Sequence, residues 1–167
     1  MAEIKEFVAT AYSVYENNGI YLWSGNGEPT EGLTIGKIRS VETSEYNAGR
    51  VLKHISDLYK KEEDLSLSKA VDCSGLVVYA LRTCGAVSKN FDKTARGLQA
   101  DSEAIPLDKL QLGDCVFNKK KNATHVGIYD GECVIEAQGR DVGVTRRSLS
   151  AGKWAIGGRL PYFKEVK

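Results

Sequence analysis

Apolar residues recur at helical spacing near the start of the chain. Residues 4–15 carry one apolar stripe that ends at an Asn-Asn-Gly turn, and residues 44–61 carry another, with Ser44 in the position of an N-cap. Both patterns predict amphipathic helices. The stretch between them, residues 19–36, is rich in glycine and is expected to be a loop.

A third helix is predicted to start at Asp72-Cys73-Ser74 and to run to Cys84. Apolar residues again fall on one face of this stretch, and Gly85 follows in the place of a left-handed C-cap. Residues 93–99 carry a short helical pattern as well. The first hundred residues are therefore expected to be mostly helical.

After Pro106 the pattern changes to short apolar or alternating runs separated by turn residues, which is typical of strands. Helices first and strands second indicate an α+β domain, with N-terminal helices packed on a small antiparallel sheet of about five strands. No repeat or linker is apparent, so we expect residues 1–167 to form a single domain. The predicted strand segments are 115–117, 125–129, 133–136, 142–145 and 158–163.

Composition excludes several classes of protein. The 167-residue chain is 42% hydrophobic and 27% charged, and its net charge of +1 argues against a basic face that binds nucleic acid. The longest apolar run, residues 76–81, is far shorter than the roughly 20 residues of a membrane-spanning helix. The first residues lack the basic start and apolar core of a secretory signal. We therefore expect neither nucleic-acid nor membrane partners.

Cysteine and histidine are few, which limits the possible chemistry. Four cysteines without CxxC spacing are expected to be free thiols. Of the two histidines, His54 falls at the polar border of the second predicted helix, where a solvated side chain is expected. Cys73 falls in the first turn of the third helix, where unpaired N–H groups and the helix dipole stabilise a thiolate and can hold an oxyanion. Cys73 and His125 are therefore the candidate pair.

The second histidine lies in a predicted hairpin. Asp130-Gly131 is a preferred type I′ loop, and with that loop His125 faces Glu136 across two antiparallel strands, with about 5 Å between the Cβ atoms. A carboxylate there accepts the imidazole N–H, fixes the tautomer and leaves the other nitrogen for a thiol. If the turn lies one residue later, Gln138 takes this orienting place.

Each of these residues also has a structural interpretation. A single cysteine at a helix start is more often structural than catalytic. His125 and Glu136 could be an exposed strand histidine and its ordinary cross-strand partner. The run Lys119-Lys120-Lys121 is by default a solvated turn.

Several motifs occur together and in a fixed order. They are Asp72-Cys73-Ser74-Gly75-Leu76, Leu112-Gly113-Asp114-Cys115-Val116-Phe117, and His125-Val126-Gly127-Ile128-Tyr129 followed by Glu136-Ala137. This set resembles the NlpC family of bacterial cell-wall cysteine peptidases. Upstream, Tyr21-Leu22-Trp23-Ser24-Gly25 is similar to the family's tyrosine-containing segment, and Trp154 with Gly158-Arg159-Leu160 is similar to its closing strand.

The resemblance implies a papain-like fold and cleavage of the D-glutamyl bond in the peptide stems of peptidoglycan. It makes Cys73 the nucleophile at a helix N-terminus and His125 the base. It gives Tyr21 an oxyanion-binding role beside the backbone N–H of Cys73. Asp72 and Ser74, together with Trp23 of the tyrosine segment, are expected to border the substrate cleft.

Two features depart from the family pattern. The third polar residue, most often a histidine in a His-Ala pair, is Glu136 here. A carboxylate should bind the imidazolium more strongly and raise the pKa of His125. The gap before Cys73 is also long, and we interpret residues 28–71 as a helical insertion that could shape a wall of the cleft.

The implied reaction is thiolate attack on an amide carbonyl followed by hydrolysis of the thioester. No metal or organic cofactor is expected, because the histidines and cysteines do not fall into ligand spacing. The expected partner is a peptidoglycan stem peptide, whose carboxylates residues 119–121 or Arg140 could attract, and the protein is expected to act as a monomer. One alternative is an amidase or acyltransferase of the same fold that acts on another amide. The other is a catalytically silent wall-binding module.

A wall enzyme without a signal peptide needs another route to its substrate. Release through a phage holin or delivery by a tail or conjugation machine would supply one, and the loss of a leader is the third explanation. We therefore expect a phage or prophage lysin domain that stays in the cytoplasm until it is released.

Overall fold

The computed structural model describes residues 2–164, and within them the chain forms five α-helices and nine strands. The helices are α1 (Ala2–Glu16), α2 (Ile35–Val41), α3 (Glu45–Lys60), α4 (Cys73–Thr83) and α5 (Ala95–Asp101). The strands are β1 (Ile20–Tyr21), β2 (Asn26–Pro29), β3 (Lys69–Val71), β4 (Glu103–Ile105), β5 (Cys115–Phe117), β6 (Val126–Tyr129), β7 (Cys133–Gly139), β8 (Gly143–Ser148) and β9 (Ile156–Arg159).

The strands form two sheets, and the main one is larger than the sequence predicts. Six strands in the order β4-β9-β5-β6-β7-β8 make a wholly antiparallel sheet instead of about five. The extra strand, β4, has a mixed and exposed pattern that gives little periodic signal. A second sheet, β1-β3-β2, contains one parallel pair, β1 with β3. The α+β class is confirmed.

The three predicted helices form close to their expected limits because their caps and apolar faces agree. Ser44 caps α3 by accepting the backbone N–H of Asn47 at 3.0 Å. Gly85 follows α4 with a φ of 79°, a conformation in which a Cβ would be strained. Helices α1 and α4 lie against each other and against the main sheet, and they share its hydrophobic core.

The expected loop over residues 19–36 is wrong in part. It contains β1 and β2, and α2 begins at Ile35. The strands β1 and β2 form because they pair with the distant strand β3. A periodic pattern in the local sequence cannot reveal such a pairing. The helical pattern near residue 93 is confirmed as α5, which Thr94 caps by accepting the N–H of Gly97.

Two groups of buried apolar side chains hold the chain together. The larger one joins α1 and α4 to the six-stranded sheet. The smaller one joins β1 and β3 to α2 and α3, through Ile20, Leu22, Ile38, Ala48, Val51 and Ala70. The segment 28–71 thus packs against Ile20 and Leu22 in a small core separate from the main one. That this segment is an insertion, and that residues 1–167 are one domain, stay predictions.

The turn between β6 and β7 lies one residue later than the sequence predicts. Tyr129 pairs with Val134, and the N–H of Asp130 donates to the carbonyl of Cys133 at 2.9 Å, which leaves Gly131 and Glu132 at the tip. Gly131 has a φ of 96°, as the first central residue of a type II′ turn requires. The Asp130 carboxylate accepts the N–H groups of Glu132 and Cys133, and these bonds select the later turn.

Within residues 2–164, no helix has both the length and the hydropathy needed to cross a bilayer.

Candidate active site

The start of α4 presents Cys73 with two unpaired backbone donors. Asp72 caps the helix, because its Oδ1 accepts the N–H of Gly75 at 2.6 Å and its Oδ2 accepts the N–H of Ser24 at 2.9 Å. Within residues 2–164, the N–H groups of Cys73 and Ser74 donate to no protein atom. A thiol therefore lies where helix dipole and free N–H groups favour negative charge.

Gly75 is required by the way this helix start is packed. A Cβ at this position would lie 1.7 Å from the carbonyl oxygen of Gly25, which is far inside contact distance. The same carbonyl accepts the N–H of Asp72 at 3.0 Å. The turn after β1 is thereby locked against the first turn of α4, and Tyr21 is brought towards Cys73.

His125, just before β6, lies between the thiol and a carboxylate. Its Nε2 is 3.3 Å from Oε2 of Glu136, which leaves Nδ1 for Cys73. Burial by itself lowers the pKa of His125, but the hydrogen bonds to Cys73 and Glu136 outweigh it and raise the pKa to about 9. The expected contact of His125 with Glu136, and the expected rise in its pKa, are both present.

Glu136 is held as a carboxylate inside the protein. Its side chain is 3% exposed, and Oε1 accepts a hydrogen bond from Nη2 of Arg147. Burial raises the pKa of Glu136, but the hydrogen bonds from His125 and Arg147 outweigh burial, and the pKa lies below its usual value. Glu136 is thus an anion that can support an imidazolium.

The later turn changes why Glu136 meets His125. The observed pairs are Ile128 with Ile135 and Tyr129 with Val134, and extending this register would make Gln138, not Glu136, the residue opposite His125. Glu136 therefore reaches His125 diagonally across the two strands, with 3.3 Å between its Oε2 and Nε2 of the ring. Gln138 is exposed and its Oε1 accepts the Thr145 hydroxyl at 2.9 Å, so it is not the partner of the imidazole.

Trp154 stacks on the imidazole, a contact that the sequence did not reveal. The ring centroids of His125 and Trp154 are 5.3 Å apart and the planes differ by 12°. A Cβ at Gly152 would lie 2.3 Å from the indole nitrogen, and one at Gly127 would lie 3.1 Å from the indole ring. Glycines on both sides make room for the ring, which is a signal visible only once the fold is known.

Cys73 and His125 open into a cleft of about 520 Å³. Tyr21, Trp23, Asp72 and Ser74 all line it, as the resemblance implies, and so does Gln138. Trp23 is 48% exposed there. The Ser74 hydroxyl donates to Asp72 at 3.3 Å.

The charged groups of the site change the pKa of Tyr21. Burial, then the negative charges of Cys73 and Asp72, raise the pKa of Tyr21 to about 12, against the opposing effect of Arg140. Its hydroxyl therefore stays a proton donor at all physiological pH values, which is what an oxyanion-binding group needs.

His54 lies outside the cleft, and its expected solvation is wrong. The side chain is half-buried against β8, where a Cβ at Gly143 would approach its Cε1 to 2.8 Å. Its Nδ1 is buried without a hydrogen-bond partner among residues 2–164. Burial lowers the pKa of His54, because Asp57 and Asp141 only partly offset it.

The remaining candidates do not join the site. All four cysteines are free thiols, and Cys115 is fully buried. Residues 119–121 are exposed and do not line the cleft, whereas Arg140 does. In the part of the chain that the structure describes, no three His, Cys, Asp or Glu side chains are grouped to hold a metal ion.

The sequence model of the NlpC/P60 family matches residues 10–156, most of the chain. The chain belongs to the NlpC/P60 family. Among curated proteins, none matches this NlpC/P60 sequence.

Solved NlpC/P60 structures share the fold. The NlpC/p60 domain of the peptidoglycan hydrolase SagA superposes with a TM-score of 0.57 at 18% identity, over 93% of this chain and 97% of that domain. The peptidoglycan hydrolase RipB of Mycobacterium tuberculosis gives 0.62 at 19% identity, over 95% of this chain and 64% of RipB. At such identities the likeness establishes the papain-like α+β fold.

RipD of Mycobacterium tuberculosis gives a TM-score of 0.61 at 15% identity, over 95% of this chain and 98% of RipD. It is described as a non-catalytic NlpC/p60 domain protein adapted to peptidoglycan binding. Hydrolases and a binding protein therefore share this fold. The side chains in the cleft of this NlpC/P60 protein, and not its fold, therefore decide whether it is catalytic.

Proposed function

We propose that this protein is a peptidoglycan endopeptidase that cuts an amide bond in cell-wall stem peptides, namely the bond from D-glutamate to the diamino acid. The observation that carries the proposal is that Cys73 and His125 line one open cleft, with Glu136 buried behind the imidazole. A thiol at a helix start, an imidazole beside it and a buried carboxylate behind the imidazole are the three parts of an activated-nucleophile site.

The reaction follows from the protonation states. With the pKa of His125 near 9, the imidazolium persists at neutral pH and supports a neighbouring thiolate. The Cys73 sulfur attacks the amide carbonyl carbon, and the carbonyl electron pair moves to oxygen. The backbone N–H of Cys73 and the Tyr21 hydroxyl donate to that oxyanion.

Collapse of this intermediate breaks the C–N bond, and Nδ1 of His125 gives its proton to the leaving amine. Water then attacks the thioester carbonyl and transfers a proton to His125. The acid product leaves and the thiolate–imidazolium pair is restored. Glu136 acts through His125 by holding its Nε2, so it is a positioning residue.

The test is digestion of defined peptidoglycans, with the products identified by mass spectrometry. We expect a new amine on the diamino acid and a new carboxyl on the glutamate, and no product with Cys73→Ser. Release of a different amine or transfer to another acceptor would favour the amidase or acyltransferase alternative.

The other alternative is a catalytically silent wall-binding module, and RipD is described as a non-catalytic protein of this kind. Iodoacetamide distinguishes it, because an activated Cys73 should be alkylated at neutral pH faster than a free thiol peptide. Labelling at the peptide rate, together with binding to walls and no cleavage, would establish the binding module. Release by a phage holin, or delivery by a tail or conjugation machine, stays a proposal about how the enzyme reaches the wall.

A further inference from the structure

The wall of the cleft beside Tyr21 contains an arginine whose guanidinium contacts a carboxylate on only one edge among the described residues. Arg140 follows β7, and its guanidinium carbon lies 5.0 Å from the centroid of the Tyr21 ring. Both residues line the cleft that contains Cys73, and the charge on Cys73 acts on the Tyr21 hydroxyl. The guanidinium therefore lies over Tyr21 in the same cleft as the reacting sulfur.

Glu42, which ends α2, holds one edge of this guanidinium. Nε and Nη2 of Arg140 lie 2.9 and 2.8 Å from Oε1 of Glu42, whose side chain has 0% exposure. The other oxygen, Oε2, accepts the backbone N–H of Trp23 at 3.0 Å. Because both oxygens of a buried carboxylate are bound, Glu42 fixes the plane and direction of the guanidinium.

The opposite edge of Arg140 has no partner within residues 2–164. Nη1 makes no hydrogen bond there, although the side chain is only 13% exposed. The adjacent carboxylate, Asp141, is taken by Arg50, with two N–O distances of 2.9 Å. Both oxygens of Asp72 accept backbone N–H groups. Among the described residues, two parallel N–H donors, on Nη1 and Nη2, are thus left without an acceptor on a side chain that lines the cleft.

We propose that this free edge of Arg140 binds a carboxylate of the substrate next to the amide bond that is cut. The proposal rests on the endopeptidase function above and adds a determinant of its specificity. A carboxylate offers two acceptors that match the two parallel donors. A carboxamide offers one acceptor and one donor, so its NH₂ group would oppose a guanidinium N–H. Arg140 should therefore select stem peptides with a free carboxyl over amidated ones.

The test compares kcat/KM for matched pairs of soluble stem peptides. In one pair the α-carboxyl of the D-glutamyl residue is free or amidated, and in the other the side-chain carboxyl of the diamino acid is free or amidated. We expect wild-type protein to prefer the free form of one pair by about tenfold to a hundredfold, since two charge-assisted hydrogen bonds are at stake. The sensitive pair identifies the carboxylate that is bound.

The variants separate recognition from support of the fold. Arg140→Ala alone would leave Glu42 buried and unpaired, so the double variant Glu42→Gln with Arg140→Gln removes both charges together. We expect the preference to disappear in this variant. Arg140→Lys keeps the charge but lacks the fork, and it should lose most of the preference. Lys89→Gln, an exposed lysine outside the cleft, removes one positive charge elsewhere and should retain the preference.

Equal kcat/KM for both members of both pairs would overturn the carboxylate site and leave the endopeptidase function standing. A folded double variant that still prefers the free form would also overturn it, with folding checked by circular dichroism. Absence of cleavage of every peptide by wild-type protein would refute the proposed function itself, and this inference with it.

Discussion

The two histidines have similar exposure but opposite surroundings. Both are partly buried, and burial by itself lowers the pKa of each. His54 packs against Gly143, its Nδ1 has no hydrogen-bond partner among residues 2–164, and its pKa falls. His125 has Cys73 on one side and Glu136 on the other, and its pKa rises to about 9. The difference shows that charged partners, rather than burial, make a histidine an acid–base group here.

The largest expected effect comes from removing the reacting groups. Cys73→Ser and His125→Ala should each lower kcat/KM for wall peptides by about a thousandfold or more, because nucleophile and proton donor act as one unit. The double variant should be no worse than the single ones. His54→Ala is the matched control and should keep activity. Equal losses in the His54 and His125 variants would contradict the contrast between the two sites.

Glu136→Gln tests the carboxylate behind His125. The amide keeps the shape but loses the charge, so the alkaline pKa in the pH profile of kcat/KM should fall from near 9 by about one to two units. Gln138→Ala should leave that alkaline pKa in place, because Gln138 bonds to Thr145 instead. A shift with Gln138→Ala and none with Glu136→Gln would restore Gln138 as the orienting residue.

The two pKa values can be measured directly by NMR, from the Cε1–H signals of the two histidines. We expect a midpoint near 9 for His125 and one below 6.5 for His54, with assignments from the His125→Gln and His54→Gln variants. Midpoints of about 6.5 for both would show that their surroundings do not act as we describe.

The raised pKa of His125 also makes the free energy of unfolding depend on pH. Because His125 binds its proton more tightly when folded, its contribution to the free energy of unfolding is fully present below about pH 6.5. It should be lost as the pH rises through about 9. Urea unfolding of wild type and His125→Gln across this range measures it, and a difference that grows with pH would have the wrong sign.

The smallest effect is expected at His54. The folded protein favours the neutral ring, so the unfolded state binds more protons and stability should fall as pH drops below 6.5. His54→Leu should remove this loss and gain on the order of 1 kcal/mol over wild type at acid pH, since a buried unpaired nitrogen is removed. A variant that loses stability as steeply as wild type would show that another group titrates.

Local signals predicted the parts of the site that lie on one element. The helix start at Asp72-Cys73-Ser74 and Gly85 after the helix were both predicted, because both follow from short-range backbone chemistry. The meeting of His125 and Glu136 was predicted, but with the wrong register. The Asp130 carboxylate selects a turn one residue later than predicted, and Oε2 of Glu136 still lies 3.3 Å from Nε2 of His125.

Contacts between distant segments could not be predicted in this way. Arg147 behind Glu136, Trp154 against His125, and Glu42 behind Arg140 each join elements far apart in the chain. The short strands β1 and β3 also depend on a contact between distant segments, because neither strand is stable without the other.

The sequence by itself determined the α+β class, the three long helices and the motifs that place the chain among NlpC/P60 proteins. These follow from periodicity and capping, which act over a few residues. The tertiary structure alone decided which histidine has charged partners and which edge of Arg140 stays free. Such properties depend on what packs around a group, and packing is set by segments that the local pattern cannot bring together.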